Sequence, residues 1–147
     1  DPNKWPADIM RRFASTHPQQ PAKSKVPSRP VLSLEDNMKI YTAPPRIMDT
    51  RSGLGGPIIE ANSTRVVQLP PDLATAKAVT VNVTAVQPAS DGFLVVGVSH
   101  LAGVSHLNYT SGETVCNAVP IPVTNGAFPV WVSTRSHVII DVLGFWD

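Results

Sequence analysis

The stretch Val79-Thr80-Val81-Asn82-Val83-Thr84-Ala85-Val86 decides the fold class of this chain. From its first residue onward, apolar side chains recur at every second position, with threonine or asparagine between them. Successive side chains of a β-strand point to opposite faces, so this alternation predicts a strand with one buried and one solvent-facing side.

Similar short apolar segments flank this strand and are separated by glycine and proline turns. Further strands are predicted at 31–34, 38–41, 66–69, 93–98, 106–109, 115–123, 128–132 and 136–142. Asn125-Gly126 is typical of a primed hairpin turn. Two prolines, Pro120 and Pro122, make the later part of 115–123 an edge or irregular segment. Residues 46–147 show no helical period, so the sequence predicts an all-β fold, an antiparallel β-sandwich of Ig-like or jelly-roll-like type.

The composition changes near residue 45. Residues 1–45 contain eight of the 15 prolines and no glycine, whereas the remainder contains all nine glycines. Residues 1–46 carry eight Lys/Arg against four Asp/Glu, a net charge of +4, and residues 47–147 carry a net charge of −3. We therefore predict an N-terminal docking arm over 1–45 and a β-sandwich domain over 46–147.

The arm contains a short amphipathic pattern. Trp5, Ile9, Met10 and Phe13 share one face of a predicted helix of about ten residues, which is too short to persist without packing. It could fold back on its own domain or dock on a different subunit. The proline-rich stretch that follows extends by about 3 Å per residue and favours docking on another subunit.

Several functional classes find little support in the residue pattern. The single cysteine, Cys116, excludes an intramolecular disulfide, and no segment has the length of a membrane span. The basic residues of the arm are scattered among prolines, which argues against a nucleic-acid partner. Neither the histidine spacing nor the glycine-rich segment at 52–57 predicts a metal site or a phosphate loop, so no cofactor is expected.

Residues 45–146 contain an ordered set of short motifs, namely Arg46-Ile47-Met48-Asp49-Thr50-Arg51, Asn82-Val83-Thr84, Gly92-Phe93-Leu94, Leu107-Asn108-Tyr109 and Asp141-Val142-Leu143-Gly144-Phe145. This set resembles a known β module. The module is often repeated at the ends of secreted actinobacterial proteins and also occurs on actinobacterial phage virion proteins. The resemblance implies a non-catalytic accessory module in an extracellular or virion setting, with no defined ligand.

Polar residues within these motifs are the first candidate site. Asp49, Arg51 and Asp141 could form an acid/base pair or hold a sugar, but we favour a structural cluster in which an arginine between carboxylates joins the first and last strands. Asn82 and Asn108 are assigned to the same structural set, as side chains that bond loop backbone.

A second candidate site is aromatic. Trp131 alternates with two valines and could face outward as a ligand platform for a sugar. A Ser105, His137 and Asp141 triad can be drawn from the sequence, but no nucleophile motif supports it.

The sequence therefore favours a non-enzymatic structural or interaction protein. The leading hypothesis is a phage virion component, a capsid decoration or a minor capsid or tail protein, whose partners are other structural subunits such as a major shell or tail protein. Homo-oligomers are expected, and the expected location is the virion, the extracellular space or the cell surface. The alternative is a module of a secreted actinobacterial protein that binds a cell-surface glycan. A hydrolase is a third and weaker hypothesis.

Overall fold

The computed structural model describes residues 29–33 and 38–147 of the chain. The predicted arm helix with Trp5, Ile9, Met10 and Phe13 lies outside these residues. The described strands are β1 (Val31–Ser33), β2 (Met38–Tyr41), β3 (Arg46–Asp49), β4 (Ser63–Gln68), β5 (Ala78–Val86), β6 (Gly92–Val96), β7 (Leu107–Tyr109), β8 (Val115–Pro122), β9 (Ala127–Val132) and β10 (His137–Trp146). Two short 3-10 turns, Pro71–Leu73 and His100–Ala102, are the helical segments of this part.

The strands form two antiparallel sheets that pack together as a β-sandwich. The larger sheet has the order β1-β2-β10-β5-β8, and β3 also pairs with β10. The smaller sheet has the order β4-β9-β6-β7. The predicted all-β antiparallel sandwich is therefore confirmed. In the described part of the chain, no helix has the length and hydropathy that crossing a membrane requires.

The core lies between the two sheets, and the alternation of β5 supplies one wall of it. Val79, Val81, Val83 and Ala85 are fully buried, whereas Thr80, Asn82 and Thr84 are half-buried on the outer face. Phe128, Val130 and Val132 of β9 belong to the same buried cluster. Removal of this apolar surface from water is the main stabilising term of such a fold.

The larger sheet begins before the change in composition at residue 45. Its edge strand β1 pairs with β2, and β2 pairs with the last residues of β10. Arg29, just before β1, donates two hydrogen bonds to the Asp72 carboxylate at 2.8 and 3.1 Å. Part of the segment that composition assigns to the arm therefore lies in the sandwich, and Arg29 fixes the point where the chain enters it.

Strand β10 is longer than the sequence pattern predicts, because it continues through an irregularity at a glycine. Its pairing with β5 shifts register between Val142 and Gly144 and then continues to Trp146. A Cβ atom on Gly144 would come within 2.5 Å of the Lys39 carbonyl oxygen of β2. The absence of a side chain here thus allows β2 to approach and pair with the end of β10.

The predicted turn at Asn125-Gly126 forms, but it does not join two paired strands. Both residues have positive φ, at 51° and 74°, and Thr124 and Ala127 exchange backbone hydrogen bonds across the turn. Beyond that bridge the flanking strands diverge, since β8 enters the larger sheet and β9 the smaller one. Strand β8, with its two prolines, lies at the edge of the larger sheet as predicted.

Candidate functional site

The first candidate site is a group of ion pairs at the edge of the larger sheet. Strand β3 ends at Asp49, and the chain then turns through Thr50 to Gly53. The Asp49 carboxylate accepts hydrogen bonds from the backbone nitrogen of Arg51 at 3.1 Å and from its Nε and Nη2 atoms at 2.9 Å each. Asp49 and Arg51 thus bond across one tight turn and not along an extended strand.

Arg46, which the sequence analysis did not select, is the arginine that lies between two carboxylates. Its Nε atom lies 2.9 Å from Oδ1 of Asp141, and its Nη1 atom lies 3.5 Å from Oδ2 of Asp49. The pairing of β3 with β10 shifts register between Ile140 and Asp141, which brings Asp141 opposite Arg46. The expected link between first and last strands therefore exists, but Arg46 makes it in place of Arg51.

The electrostatics of this group keep the Asp49 carboxylate ionised near neutral pH. The hydrogen bond from the Arg51 side chain is the largest effect, and it lowers the pKa of Asp49 to about 2 against the opposing effect of burial. A carboxylate whose pKa lies this far below neutrality is a poor proton donor or acceptor near neutral pH. The arrangement therefore fits the structural alternative better than an acid/base pair.

Asp49→Asn is expected to lower the free energy of unfolding by about 1 kcal/mol at pH 6, after allowance for the half-exposed guanidinium groups around it. Because the folded pKa lies below the unfolded value of 3.8, this stabilisation is complete above about pH 5 and is lost as the pH falls towards 2. Urea unfolding of both proteins at pH 6 and pH 2.5 measures the difference. Glu60→Gln, which removes an exposed pair with Arg135, is the matched control. Equal stability of Asp49→Asn and the parent protein at pH 6 would contradict the structural role.

The two asparagines of the predicted polar cluster lie on different sheets. Asn82 is opposite Asp141 in the larger sheet, where a groove of about 630 Å³ is lined by Pro44, Arg46, Asn82, Asp141 and Leu143. Asn108 lies in β7 of the smaller sheet and accepts a hydrogen bond from Ser105. The structure thus groups Asn82 with the carboxylates and places Asn108 elsewhere. The bond to loop backbone is instead made by Asn117, whose Nδ2 atom donates to the His106 carbonyl at 2.8 Å.

Trp131 is not an exposed ligand platform. It lies on the outer side of the smaller sheet but is only 8% exposed, because the turn at His100 covers it. The His100 ring stacks on its indole at 4.8 Å with an interplanar angle of 10°, and the Phe93 ring packs at 5.2 Å. Its Nε1 atom donates to Oδ1 of Asn62 at 3.2 Å. Alternation predicts the direction of this side chain correctly but cannot show what lies above it.

A second site, which the sequence analysis missed, lies above Trp131. It is a pocket of about 340 Å³ lined by Phe93, His100, Gly103, Val104, Ser105 and Asn108. Phe93 and Asn108 are direct partners in the pairing of β6 with β7, so their side chains share one face of the sheet. The alternation of Phe93 with buried Leu94 is the sequence signal that could have indicated an outward aromatic ring.

The histidine just before β7 has a structural role. His106 accepts a hydrogen bond at Nδ1 from the Val96 backbone nitrogen at 3.0 Å, which fixes the connection between β6 and β7. Burial lowers the pKa of His106, in keeping with a neutral ring that accepts at this atom.

The residues of the considered Ser-His-Asp triad are not brought together. The Ser105 hydroxyl bonds Asn108 on the smaller sheet, whereas His137 Nδ1 lies 2.9 Å from Thr50 Oγ1 on the larger one. Asp141 is paired with Arg46. Within residues 29–33 and 38–147, no three histidine, cysteine or acidic side chains are grouped as metal ligands would be.

No protein-family model matches the chain, and comparison with curated proteins gives no significant match. The resemblance of the motifs to the actinobacterial β module therefore stays a prediction.

Proposed function

We propose that this chain is a non-enzymatic structural protein of a virion, either a capsid decoration or a minor capsid or tail protein. Its N-terminal arm would dock on another structural subunit, such as a major shell or tail protein, and the β-sandwich would be displayed outward. The observation that carries the proposal is the way the chain enters the sandwich. The Nη1 atom of Arg29 donates to both carboxylate oxygens of Asp72 and β1 follows at once as an edge strand, so the chain enters the sandwich at a fixed point.

The charged groups of the sandwich support a structural role. Asp49, Asp72 and Asp141 each accept hydrogen bonds from an arginine, and two of these pairs join segments more than 40 residues apart in sequence. The Arg29–Asp72 and Arg46–Asp141 pairs connect separate segments of the sandwich, whereas Asp49 and Arg51 bond within one turn. These carboxylates are therefore engaged by arginines of the sandwich itself, which supports a structural role for them over a catalytic one.

The sequence of the arm supports attachment to a partner. Residues 1–28 carry five Lys/Arg and two Asp/Glu, and their amphipathic pattern has an apolar face that needs a surface to cover. The proline-rich stretch before Arg29 would extend by about 3 Å per residue, which separates the apolar pattern from the sandwich by tens of ångströms. A subunit other than the chain's own sandwich is therefore the proposed docking partner.

The double substitution Trp5→Ser and Phe13→Ser tests this docking. We expect it to abolish co-purification of the chain with the native assembly, because both changes remove large apolar side chains from the proposed contact face. The thermal unfolding midpoint should be unchanged, since the proposal places both residues on the partner subunit. The control is Gln19→Ser with Gln20→Ser, two polar changes in the same arm. Normal co-purification of the Trp5 and Phe13 variant would contradict the proposal.

A further inference from the structure

The pocket on the outer face of the smaller sheet has features of a binding site. Its apolar lining comes from Phe93 and Val104 beside the turn at His100, while Ser105 and Asn108 supply polar groups. It is built mainly by two neighbouring strands and the connection between them. Such a pocket, with a mostly apolar lining and a few placed polar groups, is the usual form of a small-ligand site.

The groups behind this pocket are held by contacts within the smaller sheet. Trp131 packs beneath both Phe93 and His100, and its own orientation is fixed by the hydrogen bond to Asn62. Ser99 is 3% exposed, and its Oγ atom accepts a hydrogen bond from the Leu101 backbone nitrogen at the start of the covering turn. Because these groups are already ordered, a ligand would cost little conformational entropy on binding.

The polar groups of the pocket have unused hydrogen-bonding capacity. The Ser105 hydroxyl donates to Oδ1 of Asn108 at 2.8 Å, which sets the orientation of the amide. The Asn108 Nδ2 atom makes no hydrogen bond to any described residue. This leaves two amide N–H donors beside the lone pairs of the serine oxygen. A ligand hydroxyl can accept from the amide while a neighbouring hydroxyl donates to the serine.

The lining of the pocket carries no Asp, Glu, Lys or Arg. An ionic ligand would therefore find no opposite charge there and would lose part of its hydration on entry. A ligand that presents an apolar face to Phe93 and paired hydroxyls to Ser105 and Asn108 matches the lining best. Those are the two surfaces of a sugar ring, whose C–H face is apolar and whose rim carries hydroxyl groups.

We propose that the pocket of Phe93, His100, Ser105 and Asn108 binds one unit of a neutral carbohydrate. The C–H face of the sugar packs on Phe93 and Val104, and two adjacent hydroxyls bond the Ser105 and Asn108 side chains. Trp131 does not touch the sugar but positions the two rings above it. The inference goes beyond the proposed virion role, since a displayed sandwich of a secreted protein could use the same pocket.

The location of the pocket is compatible with anchoring through the arm. The chain enters at β1 of the larger sheet, beside Asp72, whereas the pocket lies on the outer face of the smaller sheet. Strand β9 joins these two regions. It begins at Ala127, just after the turn that lies beside Ala74, and it ends at Val132, which pairs with Leu94 next to Phe93. At about 3.3 Å per residue, those two ends are roughly 17 Å apart. An anchored arm would therefore leave the pocket free to meet a carbohydrate.

The test is retention of the full chain on immobilised neutral polysaccharides, namely galactan, arabinan, mannan and an α-glucan, with polyuronates as charged comparisons. We expect retention on at least one neutral polymer and none on the polyuronates. Asn108→Ala should weaken the binding by about ten-fold, the effect of a lost hydrogen bond to an otherwise unpaired group. Asn82→Ala removes an outer-face asparagine from the larger sheet and should bind like the parent chain.

Several results would overturn the inference. These are the absence of retention on every neutral polymer, stronger retention on polyuronates, or equal losses from Asn108→Ala and Asn82→Ala. If a protein partner binds the exposed Leu101 instead, the association should be lost in Leu101→Ser but retained in Asn108→Ala. Because Ser105→Ala leaves the rings in place, it provides a second variant of the pocket and should weaken carbohydrate binding in the same direction as Asn108→Ala.

Discussion

Val81→Asp is expected to prevent folding of the sandwich. Val81 is fully buried in β5 between Val119 of β8 and Val142 of β10, and all three side chains belong to the core. A carboxylate at this position would lose its hydration without gaining a partner, and protonation would still leave an unpaired hydroxyl group. The cost of several kcal/mol is a large part of the stability of a domain of this size. Circular dichroism and urea unfolding of the purified variant measure the loss.

Thr80→Asp is the matched control for this substitution. Thr80 precedes Val81 in the same strand but points to the outer face, opposite Pro120 and Gly144. An aspartate there remains in contact with water, so the expected cost is about 1 kcal/mol or less, set by the lower strand propensity of aspartate. Equal effects of the two substitutions would contradict the assignment of inner and outer faces along β5.

The sequence predicts the sandwich well where local chemistry alone determines the structure. Apolar alternation sets the faces of β5, and the Asn125-Gly126 turn has the positive φ values that these residue types favour. Both features depend on neighbours only a few residues away. The two prolines of β8 likewise indicate an edge, because neither can donate a ladder hydrogen bond. Local patterns of this kind are sufficient for the fold class.

The candidate sites are predicted less well because they depend on contacts between distant segments. Arg46 meets Asp141 across 95 residues of sequence, through an irregularity in the pairing of β3 with β10. Trp131 is covered by His100, which belongs to a turn with no periodic pattern of its own. Alternation defines the face on which a side chain lies, but the loop that covers that face is determined by tertiary structure. The pocket at Phe93 was missed for the same reason.

Deletion of residues 1–28 is expected to abolish assembly while leaving the sandwich folded. The deletion removes the amphipathic pattern and the proline-rich stretch but keeps Arg29, so the ion pair with Asp72 and strands β1 and β2 remain. The free energy of unfolding should stay within about 0.5 kcal/mol of the parent value, since no described contact is lost. Urea unfolding measures stability, and co-purification with the native assembly measures docking. A shortened chain that still assembles normally would refute docking through the arm.

Deletion of residues 1–41 distinguishes the contribution of β1 and β2 from that of the arm. This larger deletion removes β1 and β2 and uncovers the end of β10, including Phe145, whose ring lies 5.5 Å from that of Tyr41. Tyr41 and Phe145 are 3% and 2% exposed, and loss of their contact should cost about 2 kcal/mol or more. The two deletions should therefore have the same effect on assembly but different effects on stability. Equal stability of the two shortened chains would mean that β1 and β2 do not support the sandwich. The boundary between arm and domain would then lie at residue 45, as the composition indicates.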